Sequence, residues 1–139
     1  MPKEREAEVA AEHFLKEHFY CTHIYRAIRT KYHRVDIMAC DVVGKTVSGL
    51  TYWVQVTTGG MNAVNQRKRK LKEIPWNGHD RVLMFQLKEG KDGRKKIWGF
   101  RVWEYKNWVD EWREWPSLIE VPRKWFRVKT EPKMSDLDI

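Results

Sequence analysis

Asp36, Gln55, Thr57 and Glu8 are the side chains of this 139-residue chain whose types and spacing can do chemistry. Asp36 is a lone carboxylate within Arg34-Val35-Asp36-Ile37-Met38-Ala39. Gln55 and Thr57 belong to Thr51-Tyr52-Trp53-Val54-Gln55-Val56-Thr57, whose alternation sends Tyr52, Val54 and Val56 to one face and Trp53, Gln55 and Thr57 to the other. The turn-rich connector Gly44-Lys45-Thr46-Val47-Ser48-Gly49 predicts a hairpin that brings Asp36 beside Gln55 and Thr57. A carboxylate and an amide oxygen on neighbouring strands are hard donors of the kind that Mg²⁺ or Mn²⁺ takes while keeping several waters. Such an ion lowers the pKa of a bound water and neutralises charge that builds up on a phosphate. Glu8, on an expected first helix, can add a second carboxylate directly or through water.

Those residues need a scaffold, and the length allows one domain with a real core, expected over residues 1–128, followed by a disordered tail at 129–139. Apolar residues make up 42% of the chain, and eight of the residues are tryptophan. Residues 3–18 read as a helix with Ala7, Ala10, Ala11, Phe14 and Leu15 on one stripe. Residues 19–26 and 34–39 read as strands, as does the Gln55 stretch, which Gly59-Gly60 breaks. A second helix is expected over 62–74, stopped by Pro75. Arg81 to Leu87 reads as a strand buried on both faces, Glu89 to Gly93 as a turn, and Ile97 to Tyr105 as a further strand. Asn107 is placed as the cap of a short helix carrying Trp108, Trp112 and Trp115, and Trp125 to Val128 as an edge strand. The fold class is therefore α/β (α+β): a mixed central sheet flanked by helices, with a Trp-rich C-terminal appendage.

Lysine plus arginine exceed aspartate plus glutamate by 27 − 19 = 8, an excess that favours a polyanionic partner. Two basic segments flank the candidate site in sequence: Arg26, Arg29, Lys31 and Arg34 before it, and Arg67, Lys68, Arg69 and Lys70 after it. Both are assigned to phosphate contact, which positions a nucleic acid without reading its sequence. Cys21 and Cys40 make neither a metal spacing nor a disulfide framework, so two reduced thiols in a cytoplasmic protein are expected. No apolar run follows Met1-Pro2-Lys3-Glu4-Arg5-Glu6, and no stretch reaches membrane-spanning length, so no membrane association is expected.

Helix with Glu, strand with apolar-Asp, turn, then strand with an acid or amide two residues before a polar residue: in this order the chain resembles the PD-(D/E)XK nuclease superfamily, most nearly the archaeal-type Holliday junction resolvases. The likeness covers roughly residues 5–105 by the spacing of elements. It implies a restriction-endonuclease-like fold and a Mg²⁺- or Mn²⁺-dependent DNA endonuclease acting on branched DNA such as four-way junctions, as a homodimer. It also implies Glu8, Asp36 and Gln55 as metal ligands and Thr57 as the residue that positions water. Gln55-Val56-Thr57 departs from the family's Glu-X-Lys: Gln55 brings no charge, and Thr57 does not supply the lysine's positive charge. Lys68 and Lys31 are the candidates to supply it from elsewhere. A catalytically silent nucleic-acid binder on the same fold, and a sequence-specific restriction or homing-type nuclease, are the alternatives.

Overall fold

Helix α1 spans Glu4–Phe19, and its apolar stripe is its buried face: Ala7, Ala10, Ala11, Phe14 and Leu15 are all fully buried. The helix starts where the Lys3 backbone N–H donates to Glu6 Oε1 at 3.0 Å. It stops at Tyr20, a left-handed residue with φ 57° whose N–H returns to the Leu15 carbonyl. This ending keeps Phe19 helical and delays the first strand to His23–Arg26 (β1), rather than starting it at residue 19 as expected. The computed structural model describes residues 2–29, 34–35 and 40–127.

After β1 come the short β2 (Ile28–Arg29) and β3 (Arg34–Val35), which pair with each other. β4 (Val42–Lys45) and β5 (Thr51–Thr57) form the hairpin. Helix α2 (Met61–Lys72) then crosses over to β6 (Asp80–Asp92), which returns through β7 (Lys95–Lys106), β8 (Glu111–Glu114) and β9 (Ile119–Val121). The main sheet runs β1-β4-β5-β6-β7-β8, with β9 on β7. The β5–β6 pair is parallel and its other pairs are antiparallel, giving the mixed sheet flanked by helices that the composition and pattern predicted.

Each face of the sheet carries one helix. On one, α1 packs Phe14 edge-on to Phe85 at 4.9 Å, with Val54, Val56, Leu83, Phe100 and Val102 around it. On the other, α2 lays Val64 against Met84 and Trp103, and Leu71 against Val82 and Trp76. Tyr52 and Phe19 stack at 4.3 Å on the first face, while Trp53 packs on Trp76 on the second. The alternation read in β5 is therefore its true facing pattern.

Four expectations about elements need correction. The hairpin partner of β5 is Val42–Lys45, so the turn begins only after Lys45, and Asp36 lies outside the described residues. The predicted turn at Glu89 to Gly93 is mostly strand, because the β6–β7 ladder continues to Asp92↔Lys95 and leaves Gly93 and Arg94 as the tip. Gly93 takes the positive φ of 63° that the tight reversal requires. No helix starts at Asn107. Residues 107–110 are a turn, with Asp110 at φ 50°, and Trp112 pairs with Tyr105 in the β7–β8 ladder. The expected edge strand at Trp125 is instead a 3-10 helix, Arg123–Phe126, that buries Trp125 and Phe126 against α1. The Trp-rich segment is thus built into the sheet rather than appended to it.

Candidate functional site

β5 places Gln55 and Thr57 on the α2 side, and both are buried, at 3% and 1% exposure. The acid beside them is Asp41, which precedes β4 and is fully buried. Two bonds fix it against Gln55. The Asp41 N–H donates to the Val54 carbonyl at 2.9 Å, and Asp41 Oδ2 accepts the Val56 N–H at 2.7 Å. Asp41 thus grips the residues immediately before and after Gln55. A carboxylate takes a ladder position that a backbone carbonyl would otherwise fill, and the charge is held by an aligned N–H.

A cation sits among these oxygens. Arg67 of α2 donates through Nη1 to Gln55 Oε1 at 2.9 Å and through Nη2 to Glu4 Oε1 at 3.0 Å. The same Nη1 lies 3.6 Å from Asp41 Oδ2. Glu8, one turn along α1 from Glu4, is 4% exposed. The guanidinium's planar fork suits two acceptors at once, and its charge offsets the cost of burying the Asp41 carboxylate.

A second junction lies at the carboxyl end of β5. Thr57 and Gln86 are opposed in the parallel β5–β6 register. Both reach Gly59: its N–H donates to Thr57 Oγ1 at 3.0 Å, and its carbonyl accepts from Gln86 Nε2 at 2.9 Å. A Cβ on Gly59 would stand 3.0 Å from Ala63 Cβ and 3.3 Å from Thr57 Oγ1, so the close approach suits glycine. Gln86 is 3% exposed, and among the described residues its Oε1 has no hydrogen-bond partner. An unbonded buried acceptor costs about 1–3 kcal/mol.

The basic segments separate into different roles. Arg67 belongs to the oxygen cluster. Lys68 lies over the Trp103 ring at 4.3 Å, and burial first, then the nearby Arg101, pushes its pKa down. Arg69 and Lys70 are exposed. Arg26 pairs with Glu12 at 3.0 Å. Arg29 and Arg34 face each other in the β2–β3 register, while Lys31 and Asp36 lie outside the described residues. The β6–β7 hairpin adds a basic arm unforeseen in the sequence, with Lys88, Lys91, Arg94 and Lys95 all exposed.

The structure therefore brings together Gln55, Thr57 and Glu8's helix, and supplies Asp41, Arg67 and Gln86 as members that sequence reasoning missed or placed elsewhere. The signal for Asp41 was in the chain: Asp41-Val42-Val43 carries an acid immediately before a β-branched pair. Among the described residues, no three His, Cys, Asp or Glu side chains gather into a metal-holding group. The oxygens that gather here are those of Asp41 and the Gln55 amide, with Glu4 joined to them through Arg67. A hard divalent ion needs only one or two carboxylates besides water and neutral oxygens, and here it would take the place that the Arg67 guanidinium holds. The grip of these oxygens on a guanidinium shows that the cluster accommodates positive charge.

Among the described residues no helix is long and apolar enough to cross a membrane, and both cysteines are buried and unlinked. No protein-family model, no curated protein and no solved structure matches the chain.

Proposed function

We propose that this chain is a Mg²⁺- or Mn²⁺-dependent endonuclease that hydrolyses phosphodiester bonds in DNA. The observation that carries the reading is the buried Asp41–Gln55 pair, locked together by the β5 backbone. Asp41 and Gln55, with Glu8 or Glu4, would hold the ion, whose chemistry when bound is to acidify water and offset charge on the phosphate. Arg67 supplies the positive charge that Gln-X-Thr lacks, in place of Lys68 or Lys31. Thr57 Oγ1 already accepts the Gly59 N–H, so its hydroxyl proton is left to donate towards a water. In the hydrolysis one water oxygen bonds to phosphorus and the bond to one sugar oxygen breaks. The water's proton passes to solvent, and the leaving oxygen takes a proton from solvent.

The preferred substrate is branched DNA, such as a four-way junction, cut by a homodimer with one site per strand. Arg69, Lys70 and the arm carrying Lys88, Lys91, Arg94 and Lys95 supply phosphate contacts around the site. The test is incubation with four-way junction, flap and linear duplex in Mg²⁺ and in Mn²⁺. Metal-dependent cleavage that is lost in Asp41→Ala supports the reading, and no cleavage of any of the three overturns it.

One observation favours a second reading. Arg67 already satisfies Gln55 and Glu4, as a permanent internal counter-ion would. In that case the fold binds DNA without cutting it, and binding proceeds unchanged in EDTA.

A further inference from the structure

The oxygen cluster accounts for Asp41, Gln55, Glu4 and Arg67, but leaves Gln86 without a role. This side chain sits on the strand next to Thr57, at the same level and with 3% exposure. Its orientation is set by chemistry. Gly59 offers a carbonyl, so the amide must present its NH₂ there, and Gln86 Nε2 donates to it at 2.9 Å. The other end of the amide is then obliged to be the acceptor, and that oxygen is the one with no partner among the described residues. Thr57 is oriented by the same peptide in the opposite sense. Its oxygen takes the Gly59 N–H at 3.0 Å, which leaves a hydroxyl proton to give. A donor and an acceptor, held on adjacent strands by the two ends of one residue, are complementary to a water molecule. Thr57 donates to the water's oxygen, and Gln86 accepts one of its hydrogens.

We propose that Gln86 Oε1 and Thr57 Oγ1 together hold the water that attacks the phosphate. The inference rests on the nuclease reading above. A glutamine in this role acts by geometry: it neither gains nor loses a proton, and it fixes the direction of the attacking lone pair. Arg67 contributes charge from α2, and Gln86 contributes direction from β6.

The test uses the full chain with Mn²⁺ and a labelled four-way junction, together with Gln86→Met, Gln86→Glu and Thr57→Val. Gln86→Met fills the same space without an acceptor. It is expected to lower kcat about 100-fold, with KM and Mn²⁺ affinity within about twofold of the parent. Gln86→Glu keeps an acceptor oxygen but loses the donor to Gly59, and is expected to retain kcat within about fivefold. Equal losses in Met and Glu would trace the effect to a loosened Gly59 turn and overturn the proposal. A folded Gln86→Met variant as active as the parent would also overturn it while leaving the nuclease reading intact. If the parent itself cuts nothing, both readings fall. A crystal structure of the parent gives a readout apart from activity: an ordered water within hydrogen-bond reach of both Thr57 Oγ1 and Gln86 Oε1 is expected. Its absence would overturn the proposal.

Discussion

Arg67 Nη1 lies 2.9 Å from Gln55 Oε1, so a cation from α2 faces the buried amide of β5. A neutral amide beside Asp41 leaves the pocket needing less positive charge than two carboxylates would, and one guanidinium supplies it. Removing Arg67 should therefore be felt first as instability. Arg67→Ala is expected to cost about 2–3 kcal/mol, below the value for a fully buried pair because the arginine is 22% exposed. Mn²⁺ should restore part of the loss, so millimolar MnCl₂ raises the variant's melting temperature more than the parent's. Thermal melts with and without the ion check this.

The two aspartates separate by substitution. Asp41→Ala is expected to abolish metal-dependent cleavage and to destabilise the fold, since it strands the Val56 N–H and removes a partner of Arg67. Asp36 lies outside the described residues, and Asp36→Ala is the comparison: cleavage lost in it but kept in Asp41→Ala would assign the acid's role to Asp36. A cleavage series on four-way junction DNA with both variants, alongside denaturant unfolding, measures each effect.

Placement of α1, and with it Glu4 and Glu8, depends on close packing against β4. A Cβ on Gly44 would meet Cys21 Sγ at 2.8 Å and Leu15 Cδ1 at 3.0 Å. Gly44→Ala is therefore expected to cost about 1–3 kcal/mol through overpacking. Phe14→Ala, which empties the centre of the ring cluster against Phe85 and Phe100, should cost about 3–5 kcal/mol. Urea unfolding of each variant gives the comparison, and the Phe14 variant should also lose the larger share of metal affinity.

Burial pushes the Cys21 thiol up to about 11. The fold therefore favours the neutral thiol. This contribution is complete below the thiol's unfolded pKa and is lost as pH rises through about 11. The stability difference between the parent and Cys21→Ala should be constant up to about pH 8.5 and shrink by about 2 kcal/mol towards pH 11. Unfolding in urea at a series of alkaline pH values tests it, and a difference that grows with pH would contradict the assignment.

DNA binding should weaken with salt in proportion to the phosphates contacted. Each exposed cation removed should reduce the slope of log affinity against log salt by about 0.9. Lys91→Ala with Lys95→Ala on the β6–β7 arm is expected to lower it by about 2, and Arg26→Ala by less, because Arg26 is engaged with Glu12. Fluorescence anisotropy with a labelled duplex across a salt series reads both.

Local periodicity carried much of the fold. The alanine-rich stripe of α1, the facing pattern of β5, and the span of α2 follow from side-chain spacing, and each packs as that spacing requires. Segments with aromatic spacing were less legible. Trp108, Trp112 and Trp115 fit a helical period, but Asp110 turns the chain back and β7 offers Tyr105 as a ladder partner. A cross-strand partner on the other side of a short turn outweighed the helical period, which the spacing of the tryptophans alone does not report.

For the site, the sequence by itself determined that Gln55 and Thr57 share one face of a strand, because a period of two leaves no other arrangement. Which acid stands beside them was a matter of register between strands. The tertiary structure chose Asp41, because its carboxylate meets the Val56 N–H only when Val42 pairs with Val54. It likewise drew Arg67 out of a run of four cations, since the helix's rotation points that one side chain at Gln55 and Glu4. It also set Gln86 against Thr57 through a parallel pairing that only the α2 crossover creates. Faces are written in the order of residues along a strand, whereas partners depend on where separate elements meet.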